Sequence, residues 1–224
     1  PLHYAAANGS VHVMETLITA GLDINAITNE GAHVLEIAAR NENIAIIKYL
    51  LTTNSGLLHL TNKSGWTTLH IAATRCSVRV MEAFVEAGLD IPAILKSGNP
   101  VLEIAVQNEN IPVLIYMLES NPQLLESTNK CRWTVVHDAA AKGTVHVTKA
   151  LVDAGLDITA RNTEGVHLLH IAASINNLEL VKYLIQTNLQ FFEQSDTNGR
   201  TPLHYAAANG SVHVMETLIT AGLD

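Results

Sequence analysis

The side chains best suited to chemistry in this 224-residue chain are 11 histidines, 21 carboxylates and two cysteines. Imidazole, carboxylate and thiolate build metal sites, acid–base pairs and nucleophile dyads when their spacing brings them to one face. That spacing is missing. Cys76 and Cys131 form no CxxC and no Cys/His zinc pattern. There is no HExxH, GxSxG elbow, P-loop or GxGxxG. His167 and His170 stand three apart at an expected helix start, with no third ligand in reach. The carboxylates do not pair. No catalytic residue, cofactor site or metal site is therefore expected.

Five histidines instead mark a pattern: His3, His70, His137, His170 and His204 all follow one recurring apolar residue. That residue is Leu2, Leu35, Leu69, Leu102, Val136, Leu169 and Leu203, at spacings of 33, 34, 33, 34, 33 and 34. The segments read LHYAAANG, LEIAARNE, LHIAATRC, LEIAVQNE, VHDAAAKG, LHIAASIN and LHYAAANG. A second apolar-periodic stretch follows each, as in HVMETLITAG and ELVKYLIQTN. Val13 with Leu17, and Met14 with Ile18, fall at i and i+4, the stripe of a helix. Gly21, Gly88, Gly155 and Gly222 end the second helices, where a left-handed residue is needed. The longer repeats place Asn54, Asn121 and Asn188 there, the next residue suited to that conformation. A polar turn then leads on, as in TNEG, TNKSG and DTNGR.

Two short helices and a turn at this period resemble the ankyrin-repeat family, whose TPLHxAAxxG signature stands intact at Thr201 to Gly210. Glu36 and Glu103 replace the motif His, Arg132 fills a turn-Gly slot and Cys76 a slot where Gly is usual. The resemblance implies an all-α solenoid of about seven helix–turn–helix repeats, at approximately 1–31, 32–66, 67–98, 99–133, 134–165, 166–200 and 201–224. These form a single array over 1–224, expected to be part of a longer one. Each motif His, and each Glu in its place, is implied to tether the helix start to a neighbouring turn.

The resemblance also implies a protein-interaction scaffold that grips its partner with turn tips and the outward face of the first helices. Candidate tip residues are Trp66, Asn99, Trp133 and Arg200, with Lys63, Lys96 and Lys130 just before the turn glycine. Candidate outward residues on the first helices are Arg40, Asn41, Thr74, Arg75, Gln107, Asn108 and Lys142. Asp138 is a further candidate because its slot otherwise holds Tyr4, Ile37, Ile71, Ile104, Ile171 and Tyr205. A carboxylate in that column must be exposed or paired. Either Trp equally well packs on a neighbouring turn.

Composition narrows the partner. Net charge is −8 and no basic stripe exists, against nucleic acid and anionic membrane surfaces. No run of 18 apolar residues offers a membrane span. A protein partner and a reducing, cytoplasmic setting are expected, with a segment of a secreted toxin as the alternative.

Residues 1–23 recur unchanged at 202–224, whereas 2–24 and 69–91 agree at 14 of 23 positions. Terminal repeats normally carry a polar outer face. These do not, which predicts end-to-end self-association. The alternatives to a scaffold are therefore an assembly element stacked head to tail, or the targeting array of a larger toxin, effector or channel.

Overall fold

The computed structural model describes residues 1–91, 101–120, 133–142, 144–187 and 195–222. The chain packs into two compact units, Pro1–Asn121 and Pro122–Asp224. Both are built from helix pairs, and the described residues hold 14 α-helices.

In the first unit the pairs are α1 (Leu2–Asn8) with α2 (Val11–Thr19), α3 (Val34–Arg40) with α4 (Ile44–Thr53), α5 (Thr68–Arg75) with α6 (Val78–Glu86), and α7 (Val101–Gln107) with α8 (Ile111–Ser120). First helices pack on first helices, α1 on α3 on α5 on α7, and second helices on second helices. The core lies between these two layers. Leu35, Ala38, Ile46, Leu50, Val80, Phe84, Val113 and Met117 are all fully buried there. Each buried Leu or Val side chain contributes about 1.5–3 kcal/mol, and no single pair could bury its own stripe. Stability therefore comes from stacking.

The second unit repeats the scheme with α9 (Val135–Ala141) and α10 (Val145–Asp153), α11 (Leu168–Ser174) and α12 (Leu178–Thr187), and α13 (Pro202–Ala208) and α14 (Val212–Thr220). Here α9, α11 and α13 stack, and α12 packs on α14. Most of the recurring apolar slot is buried as its periodicity requires, but Leu102 and Leu203 are only half-buried.

Helix starts are set by local chemistry. Thr67, Thr134 and Thr201 each form a capping box with the motif His three residues on. In the first of these, the Thr67 N–H donates to His70 Nδ1 at 3.1 Å. Such a cap satisfies backbone groups that the first turn leaves without partners. Pro202 occupies the first helical position of α13, where no N–H is missed. Helix ends behave as expected at Gly21, Gly88 and Gly155, with φ of 88°, 97° and 96°.

Asn54 does not adopt the expected left-handed conformation. Its φ is −151° and ψ 95°, and its side chain accepts from Gly56 N at 3.0 Å. It caps a 3₁₀ turn, Ser55–His59, which absorbs the longer repeat and seats Leu57 and Leu58 in the core. The chain needs no reversal there because the turn continues the helix into the core. Asn121 and Asn188 lie outside the described residues.

Candidate partner-binding surface

The described turn tips are built by one kind of contact, a side-chain oxygen that accepts backbone N–H groups of the turn. Asn62 Oδ1 accepts from Ser64 N at 2.9 Å and Trp66 N at 3.1 Å. Asn162 Oδ1 accepts from Glu164 N and Val166 N, both at 2.9 Å. Asp196 Oδ1 accepts from Asn198 N at 2.8 Å and Arg200 N at 2.9 Å. Thr28 Oγ1 plays the part for Ala32 N at 3.0 Å. A side-chain oxygen three residues before each turn glycine thus folds the tip locally. The sequence carries this signal in the Thr, Asn or Asp that stands three residues before the turn glycine, at Thr28, Asn62, Asn162 and Asp196.

These tips aim the candidate residues. Trp66 remains exposed (36%), its indole stacked on the His70 ring at a centroid distance of 5.9 Å. Trp133 is half-buried, tilted against His137 at 5.1 Å. Its Nε1–H donates to Asp138 Oδ1 at 2.6 Å, so the aberrant carboxylate is paired. Both indoles rest on the motif His of their own helix.

Other candidates are spent on the fold. Lys63 Nζ donates to the Asn29 carbonyl at 2.6 Å, and its stem lies over Gly31, so it ties one tip to the preceding one. Arg200 Nε donates to Asp196 Oδ2 at 3.0 Å, and its guanidinium lies over the Tyr205 ring at 5.4 Å. Asp196 is buried, which disfavours its charge, but hydrogen bonds from Arg200, Tyr205 and Asn198 win and hold its pKa down to about 2. Gln107 and Lys142 are exposed. Lys96, Asn99 and Lys130 lie outside the described residues.

The motif-slot carboxylates diverge. Glu36 is buried, accepts from Asn62 Nδ2 of the next tip at 3.4 Å, and pairs with Arg40 at 2.6 Å. It tethers as a motif His would. Glu103 is exposed, and the tip it would reach lies outside the described residues. In the second unit His170 Nε2 bonds the Arg200 carbonyl at 3.0 Å.

Within the first unit, Arg40, Trp66, Ile71, Thr74, Arg75, Cys76 and Asn108 line a groove of about 460 Å³. It brings five predicted residues onto one surface, Trp66 of the tip with Arg40, Thr74, Arg75 and Asn108 of the first-helix face. Arg75 is exposed and meets no carboxylate among the described residues, whereas Arg40 is held by Glu36. The Cys76 thiol offers no nucleophile. Burial, with Glu42 adding to it against Arg40, pushes its pKa up to about 11. Among the described residues no group of three His, Cys, Asp or Glu is placed to hold a metal ion. No described helix is long and apolar enough to cross a membrane.

Stacked helix pairs, side-chain-built tips and an open groove define a repeat protein of the kind that binds other macromolecules. Family models described as "Ankyrin repeats (3 copies)" match residues 35–126, 102–188 and 136–224, and "Ankyrin repeats (many copies)" matches 1–51. The chain belongs to the ankyrin-repeat family. It is 31% identical over 167 residues to the nuclear factor NF-kappa-B p105 subunit of Gallus gallus, covering 73% of this chain and 17% of that protein. The fold matches the crystal structure of the ankyrin repeat domain of Bcl-3 with a TM-score of 0.73, at 21% identity, over 98% of this chain and 97% of that one. It matches the human ASB11 ankyrin repeat domain with a TM-score of 0.70, at 23% identity, over 99% and 97%.

Proposed function

We propose that this chain is a protein-interaction scaffold whose first unit takes a partner segment carrying an acidic side chain next to an apolar one. The observation behind this is the groove lined by Trp66, Arg40 and Arg75. An exposed indole and an arginine that meets no carboxylate among the described residues are of the types that dominate interface hot spots. Ile71 supplies an apolar floor, and Thr74 and Asn108 supply hydrogen-bonding groups at its edge. Arg40, already neutralised by Glu36, adds shape more than charge. A guanidinium at an open rim attracts a carboxylate although the chain as a whole is acidic. The groove itself offers no nucleophile, because the Cys76 thiol is buried and held protonated.

The test is a peptide selection on the whole chain, with affinity read from the fluorescence polarisation of labelled peptides. Selected ligands should carry Asp or Glu beside a large apolar residue. Arg75→Glu should weaken them by about tenfold or more, and Trp66→Ala comparably. Ligands indifferent to both substitutions would place the binding surface elsewhere.

A further inference from the structure

The turn between α5 and α6 departs from the two that flank it in the first unit. Helices α3 and α7 have seven residues each and end at Arg40 and Gln107. The chain then passes through a left-handed residue, Glu42 or Glu109, each at φ 53°. Helix α5 has eight residues and runs on to Arg75, after which Cys76 is extended at φ −75° and ψ 160°. The extra residue changes what one slot can do. Asn41 and Asn108 fold back on their own helices, Nδ2 donating to the Ile37 and Ile104 carbonyls at 2.8 Å each. Arg75 takes the same slot within the last turn of α5, exposed and meeting no carboxylate among the described residues. Glu42 fixes this turn from the preceding repeat, its Oε1 accepting from the Ser77 N–H at 2.9 Å.

Arg75 also lines a second cavity, of about 610 Å³, together with Arg79 of α6 and Pro112 of α8. This cavity adjoins the groove at Trp66, because Arg75 and Cys76 line both. Arg79 is exposed and enters none of the ion pairs among the described residues. The equivalent residues of its neighbours α4 and α8 are Ala45 and Pro112, which carry no charge to pair with it. Glu42 stands in the same lining, but the Ser77 N–H occupies its Oε1. Two guanidiniums against one carboxylate leave this stretch positive in a chain of net charge −8. A local basic site on an acidic surface selects for an acidic partner by charge complementarity.

We propose that the partner segment held at Trp66 and Arg75 continues over the α5–α6 turn and sets a second acidic side chain against Arg79. This second anchor rests on the groove reading proposed above and adds a spacing to it. A cavity of 610 Å³ is about 8–9 Å across, which an extended chain crosses in about two to three residues at ~3.3 Å each. Two residues is also the step at which an extended chain returns its side chains to one face. The partner segment therefore carries an apolar residue beside a first Asp or Glu, which meets Arg75, and a second Asp or Glu two residues beyond, which meets Arg79.

The test uses the whole chain and labelled peptides selected on it from a random library, read by fluorescence polarisation. Peptides that lose affinity with Arg75→Glu should carry a second Asp or Glu two residues from the first. Arg79→Glu should weaken them by about three- to tenfold at low ionic strength, and less at high salt, because an exposed charge pair is screened. Arg79→Ser removes the charge without adding one and should weaken them by about two- to fivefold. Neither variant should weaken the same peptides once their second acidic residue is changed to Asn or Gln. Peptides that need Trp66 and Arg75 yet ignore both Arg79 variants would overturn the second anchor and leave the groove standing. A loss at Arg79 that persists with the neutralised peptides would overturn the pairing with a carboxylate. Peptides indifferent to Trp66 and Arg75 would remove the groove and the second anchor together.

Discussion

Trp133 and Asp138 are joined by a 2.6 Å hydrogen bond from the indole N–H to Oδ1, across the first turn of α9. Five residues separate them, and both are half-buried. The bond explains a carboxylate in a column otherwise filled by Ile and Tyr, since a half-buried polar group needs a partner. Asp138→Ile restores the apolar column yet removes the indole's acceptor. It should therefore destabilise by about 1–2 kcal/mol rather than stabilise. A double-mutant cycle with Trp133→Phe, read by urea denaturation, should give a coupling of about 1–3 kcal/mol. Additive single effects would show that the bond contributes nothing.

Trp66 makes no such bond to a described residue and is exposed, so Trp66→Ala should change stability by no more than about 0.5 kcal/mol. Leu35 is fully buried in α3, and Leu35→Ala should cost about 2–5 kcal/mol. Leu102 occupies the same slot but is half-buried, so its truncation should fall below that range. Melting curves of the three variants rank them. A Trp66 variant as unstable as Leu35→Ala would make the indole part of the core.

Cys76 fills a slot where glycine is usual, and it does so as a small apolar side chain. It is 4% exposed, and its Sγ–H points to the Ala39 carbonyl at 3.3 Å. With the thiol pKa pushed up to about 11, little thiolate forms at neutral pH. Iodoacetamide at pH 8 should leave Cys76 unmodified in the folded protein and label it in denaturant, by peptide mass spectrometry. Rapid labelling in the native state would contradict the burial.

The fold was legible because the 33/34 period, the motif His and the turn glycines act within a few residues of one another. Gly21, Gly88 and Gly155 are left-handed for the reason the sequence suggested. Asn54 misled because its role is set by Leu57 and Leu58 reaching the core, which local propensity does not record. The candidate surface was less legible. Arg40 and Arg75 share a groove only because α3 and α5 stack. Lys63 is drawn to the Asn29 carbonyl of another repeat's tip for the same reason. Asp138 announced that it needed a partner but could not name Trp133, since residue types alone do not say which way the indole turns.

His170 makes the stability of the second unit depend on pH. Its Nδ1 accepts from the His167 N–H at 3.3 Å, so the proton of the neutral ring sits on Nε2 and is donated to the Arg200 carbonyl at 3.0 Å. Burial lowers its pKa to about 4, against the opposing pull of that carbonyl and of Asp196. A second proton would have to enter at Nδ1, facing an N–H. The unfolded chain, with an ordinary imidazole near 6.5, binds more protons than the folded one between about pH 4 and 6.5. The stabilisation is therefore complete above about pH 6.5 and is lost as pH falls through that window, by about 3 kcal/mol at most. His70 and His137, also lowered by burial, act in the same direction. Asp196, held near 2 by its hydrogen bonds, acts lower: its contribution is complete above about pH 4 and fades toward pH 2. Thermal melts should show a first loss between pH 6.5 and 4, reduced in His170→Gln, and a second below pH 4, reduced in Asp196→Asn. A melting temperature flat from pH 7 to 4 in the unsubstituted protein would rule out a neutral, buried His170.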